Sequence, residues 1–497
     1  MRCSRDTKIL RPERCAGLDG EPCSACTEDI ELEMETKELE GQIEKIHAKR
    51  RALRTVMNEN HDQLIARFPP EITSQIFIHY APPDEIQTST PLYLGAVCQK
   101  WRQLAWGTHQ LWSSLFVRFK PDSSQLLAQY LERSANLPLT LSLFSSPQTI
   151  DDEIYLEAIK ILNQHSSRWY VLDIALPARH LHHLYGSPEG SVLHHLVLQP
   201  DVKESTEGRD AYDVARFSMK CTPSPIHLTL AKYRLTNIDI LWNRLTTVTM
   251  SYIAVDQCLE LMRRAPLLEI LSLLEIIRSS DLFPIPTARI VIPQLHSLGI
   301  SSTTNETLVA KILDSMRAPS LKHWKHKAFS HVWENPPSTS TMLSFIGQSS
   351  FSLESFTVGG GTTLYDQLPR ILYHLSSLEF LTLQFRVDNQ SPTDELLNRL
   401  CASDESSPFL PHLHTLHFSL ELTFPWESLP RLFSSSNRRS LKVKVDQQIN
   451  AYIMNETMGK LVKLVDEGFN LSIFREGKFD MLEEYREKRR FFQPVYQ

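Results

Sequence analysis

The chain has 497 residues, of which 52 are Lys or Arg and 58 are Asp or Glu, and its formal net charge of -6 argues against a dominant nucleic-acid surface. With 42% hydrophobic residues and only 16 glycines, it has the composition of an ordinary globular protein with more than one compact unit. No apolar run is long enough to cross a bilayer, and the first residues lack the apolar core of a signal peptide. We therefore expect a cytoplasmic or nuclear protein with no nucleic-acid partner and no membrane partner.

The first 26 residues contain four of the eight cysteines. Cys23 and Cys26 have the two-residue gap that lets both sulfurs reach one zinc ion. Cys3 and Cys15, however, are spread through a segment rich in Pro, Gly and charge, which is typical of disorder. We predict a disordered tail over residues 1–27 without a bound metal. A zinc site made by these four cysteines is the alternative.

Residues 28–67 are dominated by Glu, Lys, Arg and Gln, which are strong helix formers. An apolar stripe recurs every seven positions at Leu32, Leu39, Ile46 and Leu53, and is widened by Ile43, Met57 and Leu64. If Leu32, Leu39, Ile46 and Leu53 are assigned to heptad position a, the residues at position d are mostly polar. We therefore predict one long helix that lies on the rest of the molecule or pairs weakly, in a monomer. A self-paired homodimer is the alternative.

Residues 68–118 combine helix and turn signals with large aromatic side chains. The segment Pro69-Pro70-Glu71 suits a first helical turn, and apolar residues then follow three and four positions apart. Pro82 and Pro83 end that helix and a polar loop follows. A second helix is predicted with a continuous apolar stripe of Leu94, Val97, Cys98, Trp101, Leu104 and Ala105. Two short helices followed by Leu111-Trp112 bury little surface, which is typical of a binding module.

These residues resemble the F-box, in the F-box-like form that is common in fungal proteins. The resemblance rests on Phe68-Pro69-Pro70-Glu71-Ile72, Ile76-Phe77, Val97-Cys98-Gln99-Lys100-Trp101-Arg102-Gln103-Leu104-Ala105 and Leu111-Trp112-Ser113-Ser114-Leu115, and covers about a tenth of the chain. Phe68 stands where Leu is more usual. An unrelated helical hairpin with a core tryptophan is the alternative.

The resemblance implies a three-helix domain that docks on a Skp-type adaptor and, through it, on a cullin ligase. The residues that it places at the adaptor are Phe68, Pro69, Pro70, Ile72 and Ile76. Those that it places in the core of the domain are Phe77, Val97, Trp101, Leu104, Leu111 and Trp112.

After residue 118 the pattern changes to short apolar strands that alternate with helical stretches. The clearest units have apolar residues at a start position, three later and five later, with starts at Leu193, Leu245, Leu268, Leu295, Leu353, Leu378 and Leu413 and a degraded copy at Leu321. From Leu245 onward the starts lie 23 to 35 residues apart. This spacing overlaps or modestly exceeds the roughly 20 to 29 residues of a leucine-rich repeat.

These units resemble leucine-rich repeats only irregularly, because the usual Asn or Cys after each strand is absent. Each unit is too small to bury its own apolar face and must stack on its neighbours. The predicted fold class is therefore α+β, or an α/β solenoid: a long helix, a small all-α F-box-like module, an irregular leucine-rich-repeat-like solenoid with parallel strands over 119–475, and a charged C-terminal tail over 476–497. A generic α/β domain is the alternative.

No catalytic motif accompanies this architecture. The chain has no nucleophile elbow, no phosphate loop and no zinc-protease helix, so we predict a protein that is not an enzyme and has no cofactor. The most crowded histidine region is expected to serve packing and the surface rather than a metal; it contains His180, His182, His183, His194 and His195.

We therefore predict a non-catalytic substrate-recognition adaptor of an SCF-type ubiquitin ligase. Its solenoid would bind an unknown client protein through the inner strand face, where outward-pointing residues include Thr246, Thr247, Thr249, Glu269, Ser272, His296, Ser297, Thr382 and Gln384. Two alternatives are an interaction scaffold that uses the F-box-like fold outside any ubiquitin ligase, and an enzyme built on an α/β core.

Overall fold

A computed structural model describes residues 24–61, 63–80, 90–120, 123–145, 151–201, 215–302, 306–328, 339–360, 362–385, 394–401, 409–420, 426, 429–434, 441–447, 453–475 and 479–492. The chain divides into two compact units, Met1–Trp112 and Ser113–Gln497. The first unit ends at Trp112, before the predicted boundary at residue 118, because the residues that follow form the first strand of the second unit. The predictions for Cys3, Cys15 and Cys23 lie outside the described residues.

The first unit is helical. Its helices are α1 (Ser24–His61), α2 (Gln63–Arg67), α3 (Pro70–Tyr80), α4 (Thr90–Val97) and α5 (Gln99–Gly107), followed by a 3-10 turn at His109–Trp112. The predicted long helix is present as α1, although it begins at Ser24 rather than at residue 28. Its large apolar side chains, including Leu39 and Ile46, are exposed to solvent.

The single second helix predicted for residues 94–105 is instead two helices, because the backbone breaks at Cys98. This residue is extended (φ -156°, ψ 174°), and its Sγ accepts a hydrogen bond from the backbone N–H of Trp101 at 3.5 Å. Cys98 therefore caps the start of α5. The break turns the end of α4 outward, and the prediction that Val97 lies in the core is wrong: its side chain is 48% exposed.

The second unit is built on one large sheet. Its strands, in their order across the sheet, are β1 (Ser114–Arg118), β2 (Leu139–Phe144), β3 (Trp169–Ala175), β4 (His195–Leu198), β6 (His227–Ala231), β8 (Thr247–Ala254), β9 (Ile270–Ile277), β11 (Ser297–Ser302), β13 (His323–Ala328), β14 (Ser355–Gly360), β15 (Phe380–Phe385), β16 (Thr415–Leu420), β17 (Lys442–Gln447), β18 (Leu471–Arg475) and β19 (Phe479–Asp480). Neighbouring strands from β1 to β18 are parallel, and β19 is antiparallel to β18.

Short strand pairs and helices complete this unit. Strand β5 (Phe217–Ser218) pairs with β7 (Ile238–Asp239), and β10 (Ile290–Val291) pairs with β12 (Met316–Arg317). The helices are α6 (Ser123–Arg133), α7 (Asp152–Asn163), α8 (Val255–Arg264), α9 (Glu306–Ser315), α10 (Thr339–Ser349), α11 (Thr362–Leu372), α12 (Asp394–Cys401), α13 (Leu429–Ser434), α14 (Asn455–Asp466) and α15 (Met481–Phe492). From α8 to α15, each helix packs on the next.

This arrangement confirms the predicted α/β solenoid with parallel strands. Strands in successive repeats are stacked in register, so that Leu271, Leu298 and Trp324 lie side by side and are fully buried. The repeats are irregular because 3-10 turns, such as those at Leu235–Asn237 and Trp242–Arg244, stand between strands where other repeats have a helix. The final helix is part of the solenoid rather than a charged tail, since Met481 and Leu482 are buried.

The predicted client-facing residues lie along the half-exposed face of this sheet. Thr249, Ser272 and Thr382 belong to one row of strand positions, between the buried leucine rows. The residues Thr246, Glu269 and His296 precede their strands, and their backbones extend the hydrogen-bonded ladder. Successive side chains along a strand point to opposite faces of the sheet, and the strands are stacked in register. The half-exposed residues and the buried leucines therefore form separate rows.

One buried row contains a histidine where its neighbours are aliphatic. His326 stands between Ile300 on β11 and Val358 on β14, and neither of its ring nitrogens has a hydrogen-bond partner among the described residues. Burial lowers the pKa of His326 to about 4, so the folded protein keeps the ring neutral. The unfolded chain binds a proton more readily, because its histidine titrates near its ordinary pKa of about 6.5.

The free energy of unfolding should therefore depend on His326 below neutral pH. Its stabilising contribution is complete above pH 6.5 and is lost as the pH falls toward 4, by about 3 kcal/mol in total. We expect His326→Leu to remove this part of the pH dependence in urea unfolding measured from pH 4 to 7.5. His323→Leu, on the same strand but exposed, is the control. An unchanged pH dependence in the His326 variant would contradict the assignment.

Candidate protein-docking site

An apolar stripe on α3 is open to solvent. Large side chains recur every four residues at Phe68, just before α3, and at Ile72, Ile76 and Tyr80 on it, and we call these four residues the α3 stripe. Each is exposed, Ile72 by 47% and Ile76 by 38%. Pro70 is the first residue of the helix. Its fixed φ angle suits a first turn, and its lack of an N–H costs no hydrogen bond there, because backbone N–H groups in the first turn have no partner within the helix. Large exposed apolar side chains in one row are typical of a binding surface.

The opposite face of α3 supplies the core of the small unit. Thr73 and Phe77 are buried, and the Phe77 ring lies 4.8 Å from that of Trp101 on α5. Trp112 is fully buried, and its indole N–H donates a hydrogen bond of 2.8 Å to the carbonyl oxygen of Ala105. The buried face therefore holds α3 rigidly and presents the stripe in a fixed orientation.

A second contact links the other two helices of the core. Arg102 Nε donates a 2.8 Å hydrogen bond to the carbonyl oxygen of Gly95, and its guanidinium lies 5.3 Å from the centre of the Trp106 ring. Because Gly95 is on α4 and Arg102 on α5, this pair holds the helices together across the break at Cys98.

A groove of about 370 Å³ runs beside the α3 stripe. Its walls come from α2, α3 and α5 and from Phe68, and the residues that line it are Ile65, Phe68, Pro70, Thr73, Lys100, Gln103 and Leu104. Lys100 and Gln103 place polar groups among apolar walls, which is the composition of a protein interface with an apolar centre and a polar edge. The groove and the stripe share Phe68, and we take the two together as the candidate site.

The structure places the five predicted adaptor-binding residues together at the surface. Phe68, Pro69, Pro70, Ile72 and Ile76 are all exposed. Of the predicted core residues, Phe77, Leu111 and Trp112 are buried, whereas Trp101 and Leu104 are half-buried. Tyr80, Lys100 and Gln103 were not predicted at the site. The four-residue spacing from Ile76 could have identified Tyr80, but the two α5 residues depend on how the helices pack.

The half-exposed face of the solenoid carries several charged side chains. Lys325 and Lys327 lie on the same face of β13, and burial, together with the nearby charge of Lys325, lowers the pKa of Lys327. Across the sheet, Asp446 on β17 accepts from the ring nitrogen of His417 at 2.8 Å and from Lys444 at 3.2 Å. This face therefore carries several separate polar groups.

The histidines of the crowded region are engaged in packing. The His180 ring stacks on Tyr155 at 4.6 Å, and its Nε2 lies 3.0 Å from a carboxylate oxygen of Asp152. Burial lowers the pKa of His180, with the Asp152 charge opposing that shift. Within the residues that the structure describes, no three His, Cys, Asp or Glu side chains are grouped so that they could hold a metal ion.

None of the helices in the described ranges is long and apolar enough to cross a membrane. When the chain is compared with models of known protein families and with curated proteins, nothing matches. The F-box resemblance therefore rests on the residues quoted above, and the case for a docking site rests on the exposed stripe and its groove.

Proposed function

We propose that this protein is a non-catalytic substrate-recognition subunit of an SCF-type ubiquitin ligase, in which the small unit binds a Skp-type adaptor and the solenoid binds a client protein. The observation that carries this proposal is the α3 stripe. Ile72 and Ile76 stand open to solvent, where the F-box resemblance would place an adaptor, instead of being buried under α1.

Binding at this site gains free energy by removing apolar surface from water. Ile72, Ile76 and Tyr80 are large side chains on a helix whose other face is packed, so they need little ordering before they bind, and Phe68 lies just before that helix. The groove beside them accepts an apolar side chain of the adaptor, and Lys100 and Gln103 hydrogen-bond at its edge.

The chemical step belongs to other subunits. The solenoid holds a client on the half-exposed strand face, where Thr249, Ser272 and Lys325 share one row. The role of this chain is to raise the local concentration of client lysines near a ubiquitin-conjugating enzyme.

The test is isothermal titration of the full chain with a purified Skp-type adaptor. We expect a one-to-one complex with a dissociation constant of about 1 µM or lower, which corresponds to roughly -8 kcal/mol. The complex should then bind the N-terminal domain of a cullin. No binding at about 100 µM, with the chain folded by circular dichroism, would contradict the proposal. Adaptor binding without recruitment of the cullin would instead favour a scaffold outside any ligase.

A further inference from the structure

Helix α1 carries an apolar seam that the described chain leaves open. Leu32, Leu39, Ile46 and Leu53 are 50 to 58% exposed, and Ile43 and Met57 on the same side are exposed as well. With 38 residues, α1 is about 57 Å long at 1.5 Å per residue and holds about five heptads. Most helices in proteins are stabilised by packing of such a face, so a seam of this length requires a partner.

The seam fits a coiled coil when its four leucine and isoleucine residues are assigned to heptad position d. Position a is then occupied by Thr36, Ile43, Arg50 and Met57. The seam is thus apolar at d and alternates polar and apolar residues at a. In the prediction from the sequence, the same four residues are assigned to position a, and that assignment leaves position d mostly polar. The assignment to position d places Ile43 and Met57 in the same seam as the four leucine and isoleucine residues. The seam then has the average spacing of 3.5 residues that is typical of a two-stranded coiled coil.

Charge along α1 is sharply divided between its two halves. Residues 28–44 contain eight acidic side chains and one basic, whereas residues 45–58 contain five basic side chains and no acidic one. The positions that flank the seam follow the same division, with Glu33, Glu35 and Glu40 in the first half and Lys49 and Arg54 in the second. A helix with this pattern is complementary to a reversed copy of itself.

The two orientations of a self-pair differ in their flanking contacts. In a parallel pair, Glu35 meets the partner's Glu40, and Lys49 meets the partner's Arg54, so like charges face each other. In an antiparallel pair that stacks Ile43 on the partner's Ile46, Glu33 meets the partner's Arg54. Each such contact occurs twice by symmetry.

The seam residues also agree with the antiparallel arrangement. Leu32 packs on the partner's Met57, and Arg50 faces the partner's Leu39 within reach of the partner's Glu40. A charged residue at a single seam position costs stability but selects the register and orientation in which it finds an opposite charge.

We propose that α1 joins two copies of this chain as an antiparallel two-stranded coiled coil. Such a dimer carries two α3 stripes and two solenoids. The occupant of the seam is a second copy rather than another protein, because the exposed apolar positions and the reversed charge of the same helix match each other.

The test is sedimentation velocity of the full chain at neutral pH and low salt, with two charge variants. Variant one is Glu33→Arg with Glu40→Arg, and variant two is His47→Glu with Arg54→Glu. The matched control is Glu31→Arg with Glu38→Arg, which makes the same change in charge on the outer face of α1. Circular dichroism checks that the helix content of each chain is retained.

We expect the wild type and the control to be dimers, and each variant alone to dissociate at least roughly tenfold more readily, because the oppositely charged pair of Glu33 and the partner's Arg54 becomes a pair of like charges across the seam. A mixture of the two variants should restore the dimer, since the arginine that replaces Glu33 in one chain would then meet the glutamate that replaces Arg54 in the other. A monomeric wild type at about 50 µM would overturn the proposal. A tighter dimer in variant one would overturn the antiparallel orientation, because the arginine that replaces Glu40 would meet Glu35 in a parallel pair.

Discussion

A chain in which Ile72 and Ile76 are both replaced by glutamate is expected to lose adaptor binding by a factor of about 100 or more. Both side chains lie in the α3 stripe and are exposed, so the variant should fold as the wild type does. In the complex, each carboxylate would have to leave water for an apolar contact without a partner, which costs several kcal/mol. Isothermal titration against the same adaptor measures the loss.

The matched control uses two apolar residues of the solenoid that are at least as exposed as Ile72 and Ile76. Ile285 is 47% exposed, as Ile72 is, and Leu241 is 50% exposed. Replacement of both by glutamate makes the same change in charge and hydropathy outside the small unit. It should leave adaptor affinity within about twofold of the wild type. Equal loss in the control and the test variant would show that charge alone, and not the α3 stripe, determines binding.

Replacement of Trp112 by alanine is expected to lower the free energy of unfolding of the small unit by about 3 to 5 kcal/mol. The indole is fully buried and donates a hydrogen bond to the carbonyl oxygen of Ala105, so the variant would leave a cavity and lose that hydrogen bond. Urea unfolding of the full chain measures the change, and amide exchange in α3 and α5 assigns the transition to the small unit.

Two other positions provide a graded comparison for Trp112. Trp101 is half-buried against Phe77, so Trp101→Ala should cost less, about 1 to 3 kcal/mol. Val97 is exposed, and Val97→Ala should stay within about 0.5 kcal/mol of the wild type. If Trp101→Ala proves more damaging than Trp112→Ala, the described core of the small unit is wrong.

The solenoid was predictable because each repeat carries its own signal. Leucines at a start position, three later and five later require a strand with a buried face, and neighbouring repeats are chemically alike, so Leu271 and Leu298 stack in register. The half-exposed face of the sheet was predictable for the same reason, because buried and half-exposed side chains alternate along β8 and β9, which pair in register.

The errors arose where one local pattern allows two structures. Apolar residues continue at helical spacing through Cys98, but the backbone is extended at that residue and its Sγ caps a new helix at the N–H of Trp101. The surroundings of α1 could not be read from spacing either. A heptad pattern is the same whether the helix packs on its own chain or on another, and in the structure Leu39 and Ile46 are exposed.

The candidate site was predicted in part. Ile72 and Ile76 share one face of α3 by spacing alone, Phe68 lies just before that helix, and the structure leaves all three exposed. The groove could not be predicted, because it depends on Lys100 and Gln103 of α5 meeting α3 across a gap of about 30 residues.

Adaptor binding through the α3 stripe can be located by hydrogen–deuterium exchange of the full chain with and without a Skp-type adaptor. We predict slower exchange on binding in α3 and in the part of α5 that lines the groove, with the solenoid strands unchanged. The variant with glutamate at positions 72 and 76 should show no such protection at the same adaptor concentration. Binding that leaves α3 exchange unaltered, or that protects only the solenoid, would contradict the account.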